Sequence, residues 1–182
     1  MKAYIFLATG FEEIEAIATI DILRRGEVEI ITVSITGERT VIGVHQIPVT
    51  ADILFEEADF SDGDALILPG GGPGSFMLND HAALKQLLVD KNKQGNLIAA
   101  ICAAPLVLGG LGLLKGKHAV CYPGMESYMQ GAILTDAPVV TDGNIITGKG
   151  PGLALNFGLT LLAALQGQDI VDKVADDLLI IE

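Results

Sequence analysis

The segment Leu97-Ile98-Ala99-Ala100-Ile101-Cys102-Ala103-Ala104-Pro105 carries the first chemistry in this chain. Five apolar residues read as a buried strand. Pro105 belongs in a first helical turn, where its missing N–H costs nothing. Cys102 therefore falls at a strand-to-helix junction, and the positive end of a helix dipole there favours a thiolate. Ala99, Ala100, Ala103 and Ala104 are small enough for a tight turn. The arrangement is that of a hydrolase nucleophile elbow, with Cys in place of Ser. A free Cys is also often just a small buried hydrophobe. The strand-end position and the glycine loops nearby favour the reactive reading. Cys121 lies within a strand pattern and reads as core, with a resolving thiol as its other possible role.

Leu68-Pro69-Gly70-Gly71-Gly72-Pro73-Gly74 follows another apolar run. Glycines let backbone approach a ligand and expose N–H groups. Beside a nucleophile such donors form an oxyanion hole, worth roughly 3 kcal/mol each. Gly71 and Ala103 are the candidate donors; the plainer reading is a tight turn. A dinucleotide fingerprint fails, because Ser75 stands where its third glycine belongs. Gly143-Asn144-Ile145-Ile146-Thr147-Gly148-Lys149-Gly150 approaches a P-loop, but the final Ser/Thr is missing and the middle reads as strand, so ATP is excluded. Gly148 to Gly152 instead reads as a turn facing the same pocket.

Glu12, Glu13 and Glu15 open a helical pattern that runs to Arg25. Early carboxylates suit a helix N-terminus, and Glu12 and Glu13 are read that way. Glu15 differs, since its neighbours one and two turns on are Ala18, Thr19 and Ile22. Asp21, by contrast, can pair with Arg25. A carboxylate on an apolar stripe should hold its proton more tightly than usual, and could then move a proton during chemistry at a thiol. His45, His81 and His118 suggest no triad, and three scattered His with two Cys make no zinc set.

These residues need a scaffold. Apolar runs at 3–8, 28–34, 65–68, 97–101, 119–122 and 145–147 read as strands. Helical patterns at 12–25, 82–94, 103–111, 153–165 and 170–177 separate them. Thr40 to Thr50 reads as a hairpin about Gly43 with Pro48 at an edge, and 139–147 as a hairpin about Asp142-Gly143. Continuous apolar strands between helices imply a doubly wound, mostly parallel sheet covered on both faces. In such α/β sheets the site lies beyond the carboxyl ends of the strands, where Glu15, Gly71, Cys102 and Gly148 all fall. At 182 residues, half of them apolar, the chain is expected to be one domain, 1–182, and not disordered. Its 11 Lys and Arg against 23 Asp and Glu give a net charge of −12. That balance, without a basic run, excludes nucleic acid and anionic membranes as partners. Two cysteines fit a reducing cytosol. The apolar N-terminal run is short for a signal peptide and reads as a strand, and no stretch is long enough to span a membrane. A cytoplasmic protein is expected.

Taken together, Gly10-Phe11-Glu12-Glu13-Ile14-Glu15, Leu68-Pro69-Gly70-Gly71, Ala99 to Pro105 and Thr147-Gly148-Lys149-Gly150-Pro151-Gly152 resemble the ThiJ/PfpI superfamily. The likeness is to the branch of the parkinsonism-linked protein deglycase and its bacterial relatives, and it covers nearly the whole chain. It implies a flavodoxin-like sandwich and a homodimer. It places a glutamate of raised proton affinity at Glu15, an easily oxidised nucleophile at Cys102, and backbone donors at Gly71 and Ala103. Gly70, Tyr122, Lys149, Gly150 and Pro151 would line the substrate pocket. The implied activity is glyoxalase or deglycase action on small reactive aldehydes, with no cofactor or metal. The alternatives are redox sensing through Cys102 and a chaperone-like role. Two departures matter. Protease-like relatives have His directly after the nucleophile, whereas this chain has Ala103, so peptidase chemistry is not expected. Several glyoxalase-active relatives have a pocket His where this chain has Tyr122. A tyrosine donates a hydrogen bond but is a poor base at neutral pH.

Overall fold

The computed structural model describes residues 1–180. In chain order the strands and helices are β1 (Lys2–Leu7), α1 (Glu13–Arg25), β2 (Glu29–Ser34), β3 (Thr40–Ile42), β4 (Pro48–Thr50), β5 (Ile53–Leu54), β6 (Ala65–Leu68), α2 (Gly72–Asp80), α3 (Ala82–Lys93), β7 (Leu97–Ile101), α4 (Pro105–Gly110), β8 (His118–Ala119), β9 (Ile133–Leu134), β10 (Val139–Asp142), β11 (Ile145–Gly148), α5 (Ala154–Gln166) and α6 (Gln168–Asp177). The main sheet has the order β10-β11-β7-β6-β1-β2-β5. Every pairing in it is parallel except β10 with β11.

Alternation along β1 shows why both faces are covered. Ala3, Ile5 and Leu7 pack with Ala16, Ile20 and Leu23 of α1 and with Phe157, Leu161 and Leu162 of α5. Tyr4, Phe6 and Ala8 face the other way, onto Leu78 of α2, Leu84 and Leu88 of α3, and Val107 and Leu108 of α4. A strand presents successive side chains to opposite faces, so a strand buried on both has no polar position. Each fully buried Leu, Ile or Phe contributes about 1.5–3 kcal/mol.

The chain winds outward in both directions from β1. β2 and β5 lie to one side, β6, β7 and β11 to the other. The strand order therefore reverses between β1 and β6. At such a switch point the loops leaving two neighbouring strands part, opening a crevice at their carboxyl ends. Gly10 and Gly70 lie in those two loops.

The structure changes three expectations. The segment after Cys102 is not a helix over 103–111: residues 102–104 form a turn, and α4 spans only Pro105–Gly110. A six-residue helix carries little macrodipole, so it is not the main support for charge at Cys102. Ala119 to Tyr122 is not a strand. β8 ends at Ala119 and pairs with β9 in a separate two-stranded ladder. The glycine-rich run from Gly72, read as loop, opens helix α2, with Pro73 in its first turn. The hairpin at 40–50 forms as β3 and β4. Among the described residues, no helix is long and apolar enough to cross a membrane.

Candidate functional site

Cys102 has φ = +66°, a left-handed conformation that few side chains adopt. Its environment holds it there. The Cys102 N–H donates to the Gly148 carbonyl at 2.9 Å, and the Cys102 carbonyl accepts the Tyr122 N–H at 2.8 Å. The Ala104 N–H returns to the Ile101 carbonyl at 3.0 Å, closing the turn. The chain thus reverses sharply at the end of β7. Such strain is tolerated where the surroundings over-determine it, and it clusters at functional positions. Cys102 is buried but not sealed, at 8% exposure.

Glu15 reaches the same point from α1 and is fully buried. Its Oε2 accepts the Gly70 N–H at 2.7 Å, while Oε1 has no hydrogen-bond partner. Gly70 lies between the two reactive side chains. A Cβ there would stand 2.5 Å from Glu15 Oε2 and 2.6 Å from Cys102 Cβ. Gly71 is equally constrained. At φ = +89° its backbone passes so close to the β1 loop that a Cβ would lie 2.3 Å from the Gly10 carbonyl oxygen. Glycine is needed at both positions because backbone and side chains meet with no room for a methyl group.

Burial pushes Glu15 up to about 7, against smaller opposing effects from Cys102 and the Gly70 N–H, and the charge of Glu12 adds to the rise. Burial, then the Glu15 charge, pushes the Cys102 thiol up to about 12, while the N–H groups of Gly71 and Ala103 pull it down. Groups this close release their protons as a unit. One proton leaves near neutrality. The second is held because it would place two negative charges side by side in a buried site. The remaining proton is shared: two backbone donors favour charge on sulfur, and one favours charge on the carboxylate. The pair is thus a nucleophile with a proton carrier beside it, rather than an isolated thiolate.

The structure therefore brings Glu15, Gly70, Gly71, Cys102 and Ala103 together. Tyr122 is half exposed. Its ring lies against Gly150, where a Cβ would be 3.1 Å from Tyr122 Cδ2. Pro151 opens the short turn leading into α5. Lys149 points elsewhere. Its ammonium pairs with Asp136, and it lines a separate cavity of about 230 Å³ with Cys121, Glu126 and Thr135. Cys121 also belongs to a different apolar cluster from that of Cys102. Burial, and then Glu126, pushes its thiol up to about 11. The two thiols thus belong to different apolar clusters, while the Tyr122 N–H next to Cys121 reaches the Cys102 carbonyl at 2.8 Å.

Sequence reading missed a neighbouring cluster. Glu13 is not a solvated dipole partner but is buried under the turn between β3 and β4. It accepts N–H groups from His45 at 2.7 Å and Ile47 at 3.4 Å, and it meets His45 Nδ1 at 3.0 Å. Glu12, Glu13 and His45 place one donor atom each within 4.8 Å of one another, close enough to hold a metal ion in principle. In this structure His45 Nδ1 is engaged by Glu13. Only the three-carboxylate run Glu12, Glu13, Glu15 hinted at this cluster, because His45 is 32 residues away from Glu13.

Comparisons with known proteins fit this geometry. A cysteine-to-alanine mutant of a DJ-1 superfamily protein from Salmonella typhimurium is 40% identical, with a TM-score of 0.94 over 100% of this chain and 99% of that one. Oxidized DJ-1 of Toxoplasma gondii is 35% identical, with a TM-score of 0.95 over 100% and 99%. Protein dj-1beta of Drosophila melanogaster is 35% identical over 181 residues, 98% of this chain and 97% of that protein. DJ-1 homolog B of Arabidopsis thaliana is 37% identical over 97% of this chain, which spans only 41% of that longer protein. A deglycase of Pyrococcus abyssi is 35% identical over 84% of this chain and 92% of its own length. The family described as DJ-1/PfpI matches residues 1–164, and with its parallel sandwich and its cysteine elbow the chain belongs to that family.

Proposed function

We propose that this protein converts small reactive aldehydes in a cysteine-dependent, cofactor-free reaction of the glyoxalase or deglycase type. The carrying observation is Cys102 at a strained elbow, its sulfur set among the Glu15 carboxyl group and the Gly71 and Ala103 N–H groups. With methylglyoxal, the sulfur adds to the aldehyde carbon and forms a C–S bond. The carbonyl oxygen gains the electron pair and takes a proton, giving a hemithioacetal. The backbone donors stabilise that oxygen as charge develops. Glu15 removes the hydrogen of the former aldehyde carbon, and the adjacent ketone carbon is reprotonated through an enediol. The product is a thioester with a hydroxyl on the neighbouring carbon. Water then cleaves the C–S bond, releasing lactate and the thiol. The aldehyde carbon is oxidised and the ketone carbon reduced, so no external redox partner enters. Glu15 carries the proton.

Lactate formation from methylglyoxal without glutathione tests this. It is expected in wild type and lost in Cys102→Ser and Glu15→Gln. Full activity in Cys102→Ser would end the proposal. A homodimer acting in the cytosol belongs to the same reading. Ile14, Ile17 and Ile47 supply apolar exposed surface for a second copy. Light scattering of the purified protein tests the dimer.

A second reading is favoured by the buried, unpartnered Oε1 of Glu15. Protonated, that oxygen can donate to a sulfinate formed when peroxide oxidises Cys102, as a redox sensor or chaperone switch would require. Mass spectrometry after mild peroxide separates the two. Double oxygenation confined to Cys102, with no aldehyde turnover, favours the sensor.

A further inference from the structure

We propose that Thr19 is a positioning residue: its buried hydroxyl serves as the hydrogen-bond partner of Glu15 Oε1 and so holds the Glu15 carboxyl group in place beside Cys102. This rests on the reading that Glu15 assists Cys102.

Among the described residues, the buried side-chain polar atoms without a hydrogen-bond partner are Glu15 Oε1, Thr19 Oγ1, Ser75 Oγ and Thr135 Oγ1. The first two belong to one helix, α1. Side chains one turn apart share a helix face, with about 5–6 Å between their Cβ atoms. Glu15 is fully buried and Thr19 is 1% exposed, so bulk water serves neither. Their surroundings are apolar. Ile22, next along the same stripe, packs so tightly on α5 that a Cβ at Gly158 would stand 2.7 Å from Ile22 Cδ1. Ala16, Phe157 and Leu161 join Ile22 in one core cluster. A polar atom left unpaired in such a place bears the full penalty of leaving water. A valine would fill the volume of Thr19 without that penalty, so packing does not account for the hydroxyl. A bond between Oγ1 and Oε1 relieves both atoms.

In this structure the two oxygens are not bonded to each other, and the Thr19 hydroxyl does not bond the Glu15 carbonyl one turn back. A helical threonine divides between two rotamers, so one rotation about Cα–Cβ redirects the hydroxyl. A hydroxyl suits Glu15 for a chemical reason, because it both donates and accepts. It donates to Oε1 of the carboxylate, and it accepts from Oε1–H once the carboxyl group has taken a hydrogen from the substrate. An ammonium group could serve only the first state. The other oxygen is already fixed, with Oε2 on the Gly70 N–H at 2.7 Å. Gly70 is also where Glu15 and Cys102 meet: one methyl there would press on Glu15 Oε2 at 2.5 Å and on Cys102 Cβ at 2.6 Å. Fixing Oε1 as well stops the carboxyl group from turning about its own axis, so Oε2 stays against the cysteine.

The test is the rate of Cys102 alkylation by iodoacetamide at about pH 7, a readout independent of turnover. Wild type, Thr19→Val, Thr19→Ser, Glu15→Ala and the double variant Thr19→Val with Glu15→Ala are compared. Thr19→Val keeps the shape and loses the hydroxyl, whereas Thr19→Ser keeps the hydroxyl and loses the methyl group. Thr19→Val is expected to slow alkylation roughly three- to tenfold, the effect of one hydrogen bond, while Thr19→Ser stays within about twofold of wild type. Thr19→Val adds nothing to Glu15→Ala, because a residue that acts through another has no effect once that other is gone. In lactate formation Thr19→Val lowers kcat while KM holds within about twofold, since substrate binding is untouched. A Thr19→Val rate equal to wild type, with Glu15→Ala slowed, overturns the inference alone. So does an equal loss in Thr19→Ser, which shows a packing role for the methyl group, and so does a full Thr19→Val effect in the Glu15→Ala background. A Glu15→Ala rate equal to wild type overturns the pair reading together with the inference. Alkylation decides the inference even where the wild type makes no lactate.

Discussion

Replacing Glu15 by Gln should stabilise the fold at alkaline pH while abolishing its chemistry. Folding buries this carboxyl group completely and raises it from 4.5 to about 7. Each tenfold change in proton affinity corresponds to about 1.4 kcal/mol, so the rise corresponds to about 3 kcal/mol. Across that window the folded protein holds the proton more tightly than the unfolded chain does. Stability from this group is therefore complete below 4.5, falls as pH rises, and levels off above about 7. Gln keeps the size and an oxygen for the Gly70 N–H but carries no charge. Urea unfolding of both proteins between about pH 5 and about pH 8 follows the effect, since groups other than the Glu15–Cys102 pair titrate alike in each and cancel. The advantage of Glu15→Gln should be small at the acid end and approach about 3 kcal/mol at the alkaline end. Glu13, held below its ordinary value despite its burial, acts in the opposite sense and below this window, losing its stabilisation as the pH falls. Lactate formation should fall at least about 100-fold. A stability difference that stays flat with pH would refute the reasoning, because it would mean that no buried charge is relieved.

Gly70→Ala should separate the two reactive side chains. The added methyl would meet Glu15 Oε2 at 2.5 Å and the Ile101 carbonyl oxygen at 2.9 Å. A loss of about 1–3 kcal/mol by denaturant unfolding is expected, with alkylation of Cys102 slowed at least about tenfold. Unchanged alkylation would show that the carboxyl group does not assist the sulfur. Cys121→Ser should leave lactate formation within about twofold of wild type, because Cys121 lines the cavity with Lys149 and Asp136 rather than the elbow. A large loss of turnover would place that cavity on the reaction path.

Much of the scaffold was legible because its signals are local. β6 and β7 are apolar at every position and β1 is so from Ala3 to Leu7, the pattern of strands covered on both faces. The elbow could be placed because Pro105 marks a first helical turn and small residues surround Cys102. Glu15 stood out because no cation follows it along its helix face. α2 was hidden by its Gly-Pro-Gly start, where loop and helix begin with the same residues, and packing of Leu78 into the core decides between them. The apolar residues 119–122 resembled a strand, but only Ala119 finds a ladder partner, in β9.

The residue pattern alone therefore determined the layered α/β architecture, the position of Cys102 at a strand end, and the candidacy of Glu15 as its partner. Each follows from interactions spanning a helical turn or a strand pleat. Tertiary structure decided which way Lys149 points, which apolar cluster Cys121 joins, and that Glu13 and His45 meet. It also brought Glu15 and Cys102 close enough for each to shift the other's proton affinity. Those outcomes depend on desolvation and on charges brought together from distant segments, and both are set by separation in space rather than along the chain.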